Sequence, residues 1–398
     1  MTRMTGTMAR GLRAPIIRKG DDLSAIVCDV LTEAQAADGF EFHDRDIVAV
    51  TESIVARAQG NYVSCDDIAR DIRAKYPEGE LGLIFPILSR NRFAIALKGI
   101  AMGVKKITLQ FSFPSDEVGN HLISLDQLDQ ANIDPYRDVL SEARYRQLFG
   151  NCEHAFTGVD YIAYYRELIE NAGCEAQIVF ANDAREILNY CPYVLCADIH
   201  SRYRSKRLLN TAGAKTVFGL DDIMTESFSG GGYNPEFGLL GSNKADEDSL
   251  KLFPRDCQDF VENVQAEMLG RTGKLLEVMV YGDGAFKDPI GKIWELADPI
   301  VSPGYTAGLN GQPNELKLKY LADCSFAHLT GEELRQAIKT AIKEKDADLV
   351  GKMETQGTTP RRLTDLIGSL CDLVSGSGDK GTPVVFIQGY FDNYTTAE

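Results

Sequence analysis

Between residues 161 and 218 the chain switches repeatedly between two hydrophobic periods, and this alternation constrains the fold more than any other feature. Residues 161–172 carry apolar side chains at helical spacing, and Gln177-Ile178-Val179-Phe180 follows as a short apolar strand. Residues 184–190 are again helical, and Tyr193-Val194-Leu195-Cys196-Ala197 is a strand. Residues 205–212 are helical up to Gly213, and Lys215-Thr216-Val217-Phe218 is a strand. Strands alternating with helices at this interval make β-α-β units, whose crossovers return the chain to the same end of the sheet and leave the strands parallel. The expected class is therefore α/β, with residues 134–228 forming a small Rossmann-like parallel domain. That segment lacks G-x-G-x-x-G, so no motif supports a dinucleotide there.

The flanking segments read as a mixed α+β core. Asp21 or Asp22 caps a helix through Leu31, and Asp46-Ile47-Val48-Ala49-Val50 is a strand that runs into residues 51–58 at helical spacing. Residues 65–74 are helical, residues 94–104 mix apolar and small side chains, and Ile107 to Phe111 alternates as a strand. Val278-Met279-Val280-Tyr281 is a buried strand, residues 332–345 and 360–374 are amphipathic helices, and Val384 to Ile387 is a closing strand. With 398 residues the chain exceeds one ordinary core. The expected organisation is a discontinuous core over 12–130 and 230–398 with an insert at 134–228, joined near the glycine-rich run Ser229 to Tyr233.

Charge and cysteine usage narrow the partners. Lys+Arg number 42 against 58 Asp+Glu, a formal net charge of −16, which opposes non-specific binding to nucleic acid or anionic lipid. No apolar run has the length of a signal peptide or membrane helix, so no membrane partner is expected. The nine cysteines are dispersed without a C-x-x-C pair, which suits reduced thiols in the cytoplasm.

Three loops have the composition of a binding site. Gly376-Ser377-Gly378-Asp379-Lys380-Gly381 could gather backbone N–H groups around a phosphate, with Lys380 adding charge, or serve as a flexible connection. Gly282-Asp283-Gly284 ends an apolar strand, where a carboxylate suits a hard cation; an Asp-Gly turn is the other reading, and the residues leave both open. Gly241-Ser242-Asn243 precedes Asp246-Glu247-Asp248, either a ligand site or an N-cap cluster before a helix. Asp198 and His200, at the end of a parallel strand, form an Asp-x-His pair able to bind a metal or move a proton, although such residues are more often structural. His154 in Cys152-Glu153-His154 carries the same two readings.

In their order along the chain these loops resemble the F420-0:γ-glutamyl ligase family. Pro15-Ile16-Ile17-Arg18-Lys19-Gly20-Asp21-Asp22-Leu23 is similar to that family's apolar turn followed by K-x-G-D-D-L. The strand from Asp46 to Val50 leads through Thr51-Glu52-Ser53 to Ala56-Arg57-Ala58-Gln59-Gly60, where the family ends a segment in S-K-x-E-G. Leu240-Gly241-Ser242-Asn243 resembles its D-x-S-N, and Thr272-Gly273-Lys274 its T-G-K before the strand to Asp283. The C-terminal loop resembles its G-E-G-x-x-G-x-P, ending here in Pro383-Val384-Val385.

The resemblance implies an amide-forming ligase that uses GTP, or ATP, with Mn²⁺ or Mg²⁺. It would activate a small-molecule carboxylate as an acyl phosphate for attack by L-glutamate or a similar amine, and would work as a homodimer. By residue match, Asp283 is the catalytic metal ligand. Pro15, Ile16, Glu52, Ser53, Arg57, Asn243, Gly376, Gly378, Lys380 and Gly381 would contact nucleotide. Two positions depart: the family's metal-binding Asp falls at Leu240 and its metal-binding Glu at Ser377. Asp246, Glu247 or Asp379 are the acids available to replace them. The alternative is a catalytically divergent protein that binds a nucleotide or another small molecule without ligase activity. A third reading makes the insert a catalytic domain of its own, using Asp198 and His200.

Overall fold

The computed structural model describes residues 5–154, 157–228, 230–282, 285–287, 294–296, 301–355, 361–375 and 379–396. The fold is α/β, with both parallel and antiparallel pairing. It divides into two compact units. The first comprises Met1–Ala58, Asp256–Phe286 and Trp294–Glu398; the second comprises Gln59–Arg255 and Lys287–Ile293.

The first unit is built on a five-stranded sheet in the order Met8–Leu12, Val384–Gln388, Ile47–Thr51, Glu277–Gly282, Val301–Tyr305. Only Ile47–Thr51 and Glu277–Gly282 run parallel. Successive side chains of a strand face opposite sides, and here both sides are covered, so the central strands are apolar throughout. Val48, Val50, Val278, Val280, Val384 and Phe386 join a core with helices Leu23–Asp38 and Cys257–Thr272. Ile47, Ala49, Met279, Tyr281, Val385 and Ile387 join a second core with helix Leu363–Ser375. The expected cap of the first helix is Asp22, whose carboxylate accepts the Ala25 N–H at 3.1 Å. That helix ends at Asp38, seven residues beyond the expected Leu31, and is capped by Gly39 with φ 71°.

The second unit contains a six-stranded sheet in the order Leu140–Ser141, Glu175–Phe180, Lys106–Phe111, Glu80–Ile84, Tyr193–Cys196, Thr216–Gly219. All pairs are parallel except that of the short Leu140–Ser141 strand. This Rossmann-like unit is larger than the segment 134–228, because its two central strands, Glu80–Ile84 and Lys106–Phe111, come from upstream. Glu80–Ile84 is short and broken by Gly82, so it shows little strand character in sequence. The glycine has a packing reason: a Cβ there would lie 2.6 Å from Ile187 Cγ1.

Two further local readings change. The acids at 246–248 do not cap a helix but turn a β-hairpin between Asn243–Lys244 and Ser249–Lys251, whose second strand pairs with Tyr62–Ser64. The glycine-rich run does not join the units. The Gly232 N–H donates to the Tyr62 carbonyl at 2.7 Å, well inside the second unit. No helix among the described residues is long and apolar enough to cross a membrane.

Helices Cys65–Lys75 and Ala94–Gly103 pack together in the second unit. The first begins in a capping box, with Asp67 N–H donating to Ser64 Oγ at 3.1 Å and Ser64 N–H to the Asp67 carboxylate at 3.2 Å. Their close approach depends on Gly99 and Gly103. A Cβ at Gly103 would sit 2.6 Å from Ile72 Cγ2 and 3.0 Å from the Ala69 carbonyl oxygen. Gly103→Ala should therefore destabilise the second unit by about 1–3 kcal/mol. Urea unfolding followed by circular dichroism checks this, and an unchanged transition would show that the helices can separate without cost.

Candidate functional site

The register of the first sheet gathers loops that lie far apart in sequence. Leu12 pairs with Val384, Val384 with Val50, and Tyr281 with Thr51. The ends of strands Met8–Leu12, Ile47–Thr51 and Glu277–Gly282 therefore meet the start of Val384–Gln388 at one edge. Backbone bonds tie these loops together: Ala14 N–H donates to the Gly381 carbonyl at 3.1 Å, and Thr51 N–H to the Pro383 carbonyl at 3.0 Å. Helix Glu52–Gln59 is fastened to the same loop, since Gly20 N–H donates to the Ala58 carbonyl at 2.8 Å.

Most of the sequence-matched nucleotide positions thus share this unit. Pro15, Ile16, Ser53, Arg57, Lys380 and Gly381 are described there, all exposed, while Glu52 is buried at the start of its helix. Arg57 donates through Nε to the Ile17 carbonyl at 2.6 Å, which holds the N-terminal loop. Its remaining guanidinium nitrogens have no protein partner among the described residues. Gly376, Gly378 and Ser377 lie outside the described residues, as does Asp283; the preceding Gly282 ends its strand at this edge.

A cavity of about 680 Å³ opens in the same unit. Its rim includes Arg13 and Lys380, with Gly11 and Thr382 from the two paired strand ends. Helix Leu23–Asp38 supplies Val30, Ala34 and the carboxylates of Glu33 and Asp38. Sequence reasoning named the Lys380 loop but missed Glu33 and Asp38, which sit in no motif and face the cavity only because of the helix's rotation.

The other proposed residues, except Asp379, fall in the second unit. Asn243 begins the hairpin, with Nδ2 3.5 Å from the Gly241 carbonyl. Asp246 accepts the Asp248 N–H at 2.9 Å, a bond that lowers its pKa, and Glu247 pairs with Lys244 at 2.5 Å. Asp379 is exposed in the first unit. Asp198 is fully buried and its pKa is raised by that burial; His200 is exposed beside it. His154 has a structural place: the Thr157 N–H approaches its Nδ1 at 3.3 Å, and burial lowers its pKa.

Among the described residues, no three His, Cys, Asp or Glu side chains stand close enough together to hold a metal ion. Leu240, at the position where the resemblance expects a metal-binding Asp, is 7% exposed and belongs to the apolar core of the second unit with Leu239, Leu250 and Leu252. The described donors therefore do not fit a divalent cation.

Comparison with known proteins agrees with the loop pattern. The family model for F420-0:gamma-glutamyl ligase matches residues 11–389 of the chain. Over 84 residues the chain is 34% identical to the coenzyme F420:L-glutamate ligase of Methanosarcina acetivorans. That stretch covers 20% of this chain and 30% of the archaeal protein's length.

Restoring an acid at the departing position should not restore a metal site. Leu240→Asp is expected to cost at least about 3 kcal/mol, because it places an unpaired carboxylate among apolar side chains. The expected result in thermal melting is a lower midpoint that Mn²⁺ does not recover. Full recovery by Mn²⁺ would show that the position still belongs to a metal site.

Proposed function

The chain belongs to the F420-0:γ-glutamyl ligase family, and from that premise we propose that it is a nucleotide-dependent ligase that joins a small-molecule carboxylate to the amine of L-glutamate or a similar compound. One observation carries the reading. Of the residues expected to contact nucleotide, Pro15, Ile16, Glu52, Ser53, Arg57, Lys380 and Gly381 lie on segments joined at one sheet edge, while Asn243 lies in the second unit; Arg13 and Lys380 border a cavity at that edge. Two cations beside exposed backbone suit a polyphosphate, which needs positive charge and N–H donors together.

In the proposed sequence the acceptor carboxylate attacks the terminal phosphorus of GTP or ATP, and the nucleoside diphosphate leaves. The resulting acyl phosphate is attacked at carbon by the amine, which loses a proton as inorganic phosphate departs. Arg13 and Lys380 would offset the charge on the transferring phosphoryl group, and Arg57 would hold the N-terminal loop against it. The resemblance implies Mn²⁺ or Mg²⁺, for which Asp283, outside the described residues, would be the ligand; such an ion would add to the charge that Arg13 and Lys380 supply.

The second reading is nucleotide or small-molecule binding without turnover, and the buried apolar Leu240 favours it. Phosphate release separates the two. With nucleotide, Mn²⁺, a panel of carboxylates and glutamate, the ligase reading expects release that requires every component. Lys380→Ala should raise the nucleotide KM by about tenfold, the loss of one charge-assisted contact of ~1.4 kcal/mol. Asp283→Ala should abolish release. Melting-point stabilisation by nucleotide without release from any mixture would favour the binding reading, and full activity in Asp283→Ala would remove that residue's assigned role.

A further inference from the structure

The parallel sheet of the second unit has a reversal point. Numbered along the chain, its five parallel strands are arranged 3-2-1-4-5, and the order reverses between Glu80–Ile84 and Tyr193–Cys196. At such a point the loops leaving the two strand ends diverge to opposite faces and open a crevice that ligands fill.

Both loops are held in place here. After Ile84 the backbone turns through Phe85 at φ 54°, a conformation that costs a bulky residue energy and persists only where surroundings impose it. The buried Tyr165 hydroxyl donates to the Ile87 carbonyl at 2.6 Å and accepts the Ser89 N–H at 2.9 Å. The buried Asp116 accepts the Leu88 N–H at 2.8 Å. After Cys196 the chain passes through Asp198 into helix Arg202–Thr211, whose N-cap, Ser201, makes no side-chain capping bond to the helix.

The N–H groups before this helix are filled by a carboxylate from a different loop. Glu117 accepts the N–H of Ile199 through Oε1. Its Oε2 lies 3.1 Å from His200 N, 3.4 Å from Ser201 N and 3.3 Å from Ser201 Oγ. One oxygen thus shares two N–H donors at distances longer than the ~2.7–2.9 Å of good charge-assisted bonds, since the Ser201 hydroxyl proton goes to Asp198. A two-oxygen group underfills a cradle of three N–H donors; a phosphate, with three terminal oxygens, matches it better.

Asp198 supplies a second, independent observation. The side chain is fully buried, and its Oδ2 accepts both Ser201 Oγ and Ser205 Oγ at 2.7 Å. Its Oδ1 is buried and has no hydrogen-bond partner among the described residues. A buried acceptor left unpaired forfeits its solvation without compensation, so the position calls for a donor. It belongs to the same cluster, because Ser201 Oγ touches both Asp198 and Glu117.

We propose that this crevice binds a small phosphomonoester that also carries hydroxyl groups. Its phosphate replaces the Glu117 carboxylate on the N–H groups of Ile199, His200 and Ser201, and a hydroxyl donates to Asp198 Oδ1. Replacing one anion by another leaves the cluster's charge nearly balanced. Arg202 and Lys206 contribute little net charge, since Asp221 and Asp222 pair with them at 2.5–3.0 Å. Glu117 then acts as an internal competitor that holds the empty cradle together. The site does not depend on the ligase reading, and its test contains no nucleotide.

The test is calorimetric titration of the full-length chain with ribose 5-phosphate and with inorganic phosphate. Removing the competitor should tighten binding, so Glu117→Ala should bind ribose 5-phosphate at least about tenfold more tightly than the unaltered chain. Glu117→Gln, which keeps the side-chain size, should shift in the same direction and serves if the alanine variant does not fold. Asp198→Asn should erase the preference for ribose 5-phosphate over inorganic phosphate. Absence of binding at millimolar concentration in both Glu117 variants, or affinities unchanged by either substitution, would overturn the proposal. Equal affinity for the two probes in the unaltered chain would overturn the assignment of Asp198.

Discussion

The first unit depends on one strand pairing on both sides. Val384–Gln388 lies between Met8–Leu12 and Ile47–Thr51 and is antiparallel to each. An antiparallel neighbour places the start of one strand beside the end of the next. Residues 379–383 are consequently brought against residues 13–16 and Thr51, and Ala14 and Thr51 each donate a backbone N–H to the incoming C-terminal segment. The candidate cavity is a consequence of that register. A slip of one residue would exchange the two apolar faces of a strand buried on both sides, so the register is strongly specified.

Such a sheet joins residues more than three hundred and seventy positions apart, and the ordering cost of so long a loop would be large if the intervening chain were unstructured. The second unit reduces it. Its entry and exit are neighbours, since Arg255 N–H donates to Gln59 Oε1 at 3.1 Å and Asn61 Nδ2 to the Phe253 carbonyl at 2.8 Å. A domain whose termini lie side by side can be inserted without parting the strands it interrupts. Its own apolar cluster, running from Val63 to Leu252, supplies the core such a unit needs.

Much of the fold was legible because apolar periodicity is a local property. The strands at 47–51, 106–111, 193–196 and 384–388, and the helices at 65–75 and 161–171, fall within a residue or two of their expected places. Legibility failed where the determinant was a distant partner. Gly82 weakens the strand signal of Glu80–Ile84, yet Ile187 requires it, and so the sequence does not show that the parallel sheet begins upstream of residue 134. The acids at 246–248 look like a cap, but pairing of Ser249–Lys251 with Tyr62–Ser64 makes them a hairpin turn. At the site, glycine and lysine motifs pointed to the loops around residues 15, 57 and 380. The wall formed by Glu33 and Asp38, and the reach of Glu117 to residues 199–201, arise only from tertiary packing.

The two ends of the first sheet divide the work of a strongly acidic chain. At the end where Ile47–Thr51 and Glu277–Gly282 begin, buried carboxylates are consumed by structure. Asp46 accepts His43 N–H at 2.9 Å and Gly389 N–H at 3.3 Å, and the buried Glu277 accepts the Thr306 hydroxyl at 2.5 Å. At the opposite end Arg13 and Lys380 stand at the cavity rim. A net charge of −16 repels anions at long range, but that repulsion is screened beyond about 10 Å at ordinary salt. What an anionic ligand meets at contact is set by the groups within that distance. Among the residues that line the cavity, Glu33 and Asp38 are the acids that oppose these cations. Those two carboxylates are therefore the charges whose neutralisation should most increase anion affinity at this edge.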